Sequence, residues 1–139
     1  MPTREQVMGA LFTLLQGAAS FAQSGRRLKL WTEVHEQPAL FLRDTGETVD
    51  EGAPTNPARV TLEAEVWIYA KTDPDGAPGA TLNNLIDAVW TAMQPGPAFP
   101  CQTLGGLVAH AWIDGHVEKD PGDLDSQAKA VIPIRILIP

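Results

Sequence analysis

The chain has 139 residues, 44% of them hydrophobic, which is enough for one ordinary domain to enclose a core without metal or disulfide staples. Its single cysteine, Cys101, excludes an intrachain disulfide and any multi-cysteine zinc or iron–sulfur site. A formal charge of −7 makes phosphate binding by the surface as a whole unfavourable, and the only basic cluster is Arg26, Arg27 and Lys29.

The first residues, MPTREQ, run into an amphipathic pattern and lack the apolar stretch of a secretion signal, so a reducing cytoplasm is the expected setting. From Thr3 to about Phe21, apolar residues fall at Val7, Met8, Leu11, Phe12, Leu15, Ala18 and Ala19, the spacing of one helical face. Thr3 followed by Gln6 fits a capping box, and Ser24-Gly25 supplies a stop. RLKLWTEV, Arg27 to Val34, alternates and predicts a strand, and PALFLRD predicts a second, with Pro38 at its start where a missing N–H is tolerated.

Thr45 to Pro57 mixes acids, glycine and proline with almost no apolar content, which predicts a long exposed loop. Arg59 to Lys71 gives the clearest strand, with Val60, Leu62, Ala64, Val66, Ile68 and Ala70 on one face. The other face carries Thr61, Glu63, Glu65, Trp67 and Tyr69. A second helix is marked by Leu82, Leu85, Ile86, Val89, Trp90 and Met93. Leu107 to Glu118 predicts a strand bulged near Asp114-Gly115, KDPGDLDSQ an acidic turn, and Ala128 to Pro139 a β-branched strand in which Pro133 argues for an edge or bulge. The order α-β-β-β-α-β-β predicts one α+β domain over residues 1–139, a mostly antiparallel sheet of about five strands with two helices on one face. The longest apolar run, VIPIRILIP, is too short and too broken by proline and Arg135 to span a bilayer.

The residues that could carry chemistry do so weakly. His110, Trp112 and Asp114 would share a strand face, but no serine or cysteine elbow and no HExxH accompanies them, so a histidine hydrogen-bonded within the sheet is the preferred reading over a small-molecule enzyme. The three histidines, His35, His110 and His116, are the candidates for a general base or metal ligand, and His110 and His116 bracket Trp112 and Asp114. Cys101 has no neighbouring cation in sequence to lower its pKa. TLGG at 103–106 lacks the lysine of a phosphate loop, and Asp120, Asp123 and Asp125 lack the twelve-residue calcium pattern. No catalytic, metal or cofactor residue is assigned.

Several segments together resemble phage and prophage proteins described as tail terminator or tail completion proteins. They are TREQVMGALFTLL, RRLKLW, QPALFLRDTGE, WIYAKTDPDGAP, LNNLIDAVWTAM, QTLGGLV, AWIDGHVEKDPG and VIPIRILIP, running nearly end to end. The likeness implies a structural protein of the virion, assembled in the host cytoplasm into a ring, typically of six subunits, at the head-proximal end of the tail tube. Such a ring stops tube polymerisation and offers a surface for head attachment. The implied partners are further copies of the chain, the tail tube protein and head–tail connector or neck proteins, with DNA passing through unbound and with no cofactor or membrane. A head-closure or neck adaptor of the same assembly is the alternative. Ring closure needs side-to-side contacts between unlike surfaces, for which Trp31, Trp67, Tyr69 and Trp112 are candidate interface aromatics. In the acidic segment, Glu47, Asp50 and Glu51 are candidate contacts toward tube, neck or lumen.

Overall fold

The computed structural model describes residues 2–52, 58–73, 75–96 and 100–139. In chain order the elements are α1 (Arg4–Gln16), β1 (Gln23–Gly25), a 3-10 turn (Trp31–Glu33), β2 (Ala39–Asp50), β3 (Arg59–Lys71), α2 (Ala80–Met93), β4 (His110–Ile113), β5 (Glu118–Asp120) and β6 (Gln127–Ile138). One six-stranded sheet runs β1-β2-β3-β6, with β4 and β5 both on the far side of β6. Every pairing is antiparallel except β1 with β2. The fold is α+β with both helices on one face, as the pattern predicts, and with a short parallel strand in addition.

The inner face is aliphatic. Val7, Met8, Leu11 and Leu15 of α1 and Leu82, Leu85, Val89 and Met93 of α2 join the inward residues of β2, β3 and β6 in a single cluster. The alternation in β6 is strict, since Ala128, Ala130, Ile132, Ile134, Ile136 and Ile138 are all buried. Helix α1 opens with the capping box: the Gln6 N–H donates to Thr3 Oγ1, and the Thr3 N–H donates to Gln6 Oε1. It ends at Gly17, earlier than the apolar pattern suggests, while Ala19 and Phe21 still pack against the core. Ser24 and Gly25, expected as a helix stop, instead pair with Leu40 and Phe41.

Three expectations are corrected. Arg27 to Val34 does not form a strand: it crosses the outer face of the sheet as a loop with a 3-10 turn, because Leu28, Trp31 and Val34 are used to cover Phe41 and Tyr69. Thr45 to Asp50 is not loop but the exposed half of β2, paired with β3 through a bulge between Asp44 and Gly46, so strand pairing overrides a composition typical of loops. Of the remaining expected loop, residues 53–57 lie outside the described residues. The long strand from Leu107 becomes β4 and β5, separated at Asp114 to Val117. That break also accommodates Pro133. It lies in the interior strand β6, but β4 reaches only Ile134 and β5 only Val131, so no strand pairs with β6 at Pro133 on that side. Gly115 (φ 117°) passes beside the Pro133 ring there.

The acidic turn between β5 and β6 is a fixed structure. A Cβ on Gly122 (φ 72°) would meet backbone atoms of Gln127 and Ala128 at 2.8 Å, so only glycine fits. Its carbonyl accepts from Thr72 Oγ1, and the Thr72 N–H donates to the Ser126 carbonyl, tying the turn to the end of β3.

Candidate functional site

Half of the outer sheet face is covered by the chain itself. Phe41, Tyr69, Val34 and Ala39 form a small buried cluster flanked by Leu28, Trp31 and Trp67. Trp31 meets Tyr69 edge-on at a centroid distance of 5.3 Å, and the Tyr69 hydroxyl donates to the Lys29 carbonyl at 2.6 Å. Burial, reinforced by the nearby charge of Glu33, pushes the Tyr69 hydroxyl above its ordinary pKa. Two of the candidate interface aromatics thus have intrachain roles. Tyr69 is 3% exposed and offers no outward surface, and Trp31 is its half-buried lid. Trp67, also half-buried, donates its Nε1–H to Glu65.

The other half is open and polar. Register aligns Thr48, Thr61, Leu137 and His110 in one row and Gly46, Glu63, Arg135 and Trp112 in the next. Its charges are largely matched within the sheet. Arg43 lies 3.7 Å from Glu65, Arg135 Nε lies 3.1 Å from Asp114 Oδ2, and the Thr48 hydroxyl donates to Glu63.

His110 and Asp114 are not hydrogen-bonded to each other. Asp114 is taken by Arg135, while the His110 ring stacks on Trp112 at 4.8 Å with an interplanar angle of 10°. His110 Nδ1 is buried without a hydrogen-bond partner among the described residues. His110 and Trp112 line an open cleft of about 320 Å³ between β4 and the C-terminal end of α2. Among the described residues no three His, Cys, Asp or Glu side chains are grouped to hold a metal ion. The TLGG segment is a turn in which the Gly106 N–H donates to Thr103, and beside it Gln102 Nε2 donates to the Ala92 and Gln94 carbonyls, closing the C-terminal end of α2, while its Oε1 accepts from the Leu104 N–H.

The three acidic candidates separate. Glu47 stands opposite Leu62 on the helix side and accepts from Arg4 Nε at 2.8 Å, whereas Asp50 stands opposite Arg59 on the other face. Glu51 follows the strand and is exposed. Periodicity within a strand would have separated Glu47 from Asp50 had the segment been recognised as one.

Among the described residues four large apolar side chains are exposed: Leu30 (69%), Val49 (59%), Trp90 (54%) and Leu124 (98%). Trp90 falls on the apolar side of the α2 pattern, but it borders the open cleft beside β4.

The two flanks of the sheet differ in charge. At one end of the strand order, Arg26 and Arg27 directly follow β1, and Lys29 comes next over the outer face. At the other, Glu118 and Asp120 lie in β5, and Asp123 and Asp125 lie in the turn that follows. No family model matches the chain, and no curated protein matches its sequence. Among the described residues no helix is long and apolar enough to cross a membrane.

Proposed function

We propose that the protein is a structural subunit of a phage tail, forming a ring at the head-proximal end of the tail tube that ends tube polymerisation and receives the head. The observation that carries this reading is the end-to-end likeness of the quoted segments to tail terminator proteins. The architecture supports it physically. A ring built by rotation joins unlike surfaces of identical copies, and this sheet has chemically unlike flanks. Its open outer face carries charges matched within the chain, so it can stand beside DNA without gathering phosphate.

The reading makes the chain an assembly protein in which no residue has a catalytic role. It also gives the solvent-exposed edge of β2, from Arg43 to Asp50, a place in contacts with neighbouring proteins, since unpaired strand edges are ready templates for association. Electron microscopy of particles from a phage or prophage with a null allele of this gene is the deciding experiment. Overlong or length-scattered tails without heads are expected. Normal-length tails beside unjoined heads would move the protein to the neck, and normal virions would end the structural reading altogether.

A further inference from the structure

Self-association of a chain with net charge −7 has to bring locally opposite charges together against an overall repulsion. β1, from which the basic segment leaves, and β5 lie at opposite ends of the strand order, and the basic segment then crosses the outer face, where the Lys29 carbonyl meets Tyr69 of β3. Arg26 is paired with Glu5, but Arg27 and Lys29 belong to none of the ion pairs among the described residues. The same holds for Glu118, Asp120, Asp123 and Asp125. Each segment also displays an exposed leucine, Leu30 on the basic side, where its N–H donates to the Glu33 carboxylate, and Leu124 on the acidic side, which also holds Lys119.

An apolar knob within a charged rim, met by an apolar knob within a rim of the opposite sign, is the pattern of a specific contact. The acidic side is held in shape before any partner arrives. Asp120 and Asp125 accept from the Gly122 and Gln127 N–H groups, and the Gly122 turn is fixed to β3 through Thr72. The basic side is equally fixed, since the Lys29 carbonyl is held by Tyr69 and Leu28 packs into the aromatic cluster.

We propose that the occupant of each flank is a second copy of this chain, the basic segment Arg27–Leu30 of one subunit seating on the acidic Glu118–Asp125 segment of the next. The contact is heterologous, so it propagates around a ring and does not stop at a dimer. It rests on the ring reading above and names the surfaces through which that ring closes.

The test is a charge exchange with two variants of the full chain. Arg27→Glu with Lys29→Glu turns the basic segment acidic, so that both are acidic, and Asp123→Lys with Asp125→Lys turns the acidic segment basic, so that both are basic. Sedimentation velocity at low salt is expected to show each variant assembling at least ~10-fold less tightly than the parent chain, with assembly restored when the two are mixed in equal amounts. Restoration by mixing is the signature, because a merely destabilised variant would not recover. Circular dichroism checks that each variant folds; if one does not, the neutral pairs Arg27→Gln with Lys29→Gln, and Asp123→Asn with Asp125→Asn, probe the same contact with a smaller loss. Assembly of both variants as tightly as the parent would overturn the assignment of these flanks and leave the ring reading standing. So would individual loss without recovery on mixing. A parent chain that stays monomeric at every concentration would overturn the proposed contact, whereas the ring reading itself is decided separately by tail length in the null allele.

Discussion

The two faces of the sheet solve the same burial problem in different ways. The inner face is covered by two helices, and its residues are aliphatic and interchangeable in kind: Leu62, Ala64, Val66 and Ile68 of β3 lie beside Ile132, Ile134 and Ile136 of β6. The outer face has no helix. One half is sealed by a loop whose aromatic contacts are specific, and the other half is left to paired charges. A helix supplies a continuous apolar stripe, so a strand beneath it needs only to be hydrophobic; a loop supplies a few anchors, and each anchor must meet a particular partner.

The strongest way to break this comparison uses neighbouring residues of β6. Ile132 is fully buried under the helices, and Val131 is half-buried on the outer face. Ile132→Ala is expected to cost about 2–5 kcal/mol in denaturant unfolding, from lost transfer energy and the cavity left behind. Val131→Ala should cost less than about 1 kcal/mol, because its methyl groups are already partly in water. Equal losses would mean that the outer face is as enclosed as the inner one.

This difference also governs what could be read from sequence. β3 and β6 alternate because one face is core along their whole length, and both were legible nearly to the residue. The capping box of α1 was legible because its chemistry is local to Thr3 and Gln6. The segment 27–34 was not. Its alternation is that of a strand, but its partners are Phe41 and Tyr69, residues distant in sequence whose face is set by the sheet. The outer half of β2 was hidden in the opposite way, since eight consecutive exposed residues carry no burial pattern and only pairing with β3 makes them a strand. Among the candidate site residues, the sequence singles out the aromatics Trp31, Trp67, Tyr69 and Trp112, yet it gives no sign that Tyr69 is closed over by Trp31 while Trp90 is exposed.

A sharper probe of the outer face is Tyr69, the only tyrosine of the chain. Tyr69→Phe removes the hydroxyl that donates to the Lys29 carbonyl and is expected to cost about 1–2 kcal/mol, since that carbonyl loses its donor. The pH dependence has a definite sign. The folded state holds the Tyr69 proton more tightly than the unfolded chain, so the associated stability is complete below the ordinary tyrosine range and is lost as pH rises through it toward the raised value. The parent chain should therefore show an alkaline fall in stability that Tyr69→Phe lacks in part. Phenolate absorbance on heating or denaturant unfolding reads this one group directly. A phenol that ionises at its ordinary pH in the folded chain would show that the loop does not seal the aromatic cluster.

The smallest effect is expected where the open half of the outer face carries its charges. Asp114 and Arg135 form a 3.1 Å pair, but their side chains are 44% and 49% exposed, so solvent screens most of their attraction. Asp114→Asn should cost about 0.5 kcal/mol or less, with the difference from the parent vanishing in high salt. The backbone anchor survives the substitution, because the Asp114 N–H still donates to the Pro133 carbonyl across the break between β4 and β5. A loss of about 2 kcal/mol or more that persists in high salt would mean the pair is desolvated, and then the open face is covered by something in solution. Measured on the free chain and again under conditions where it assembles, the same substitution separates a wall facing solvent from one buried between subunits. The flank contact through Arg27 and Asp123 leaves this pair outside the interface, so its small cost should be the same in both states.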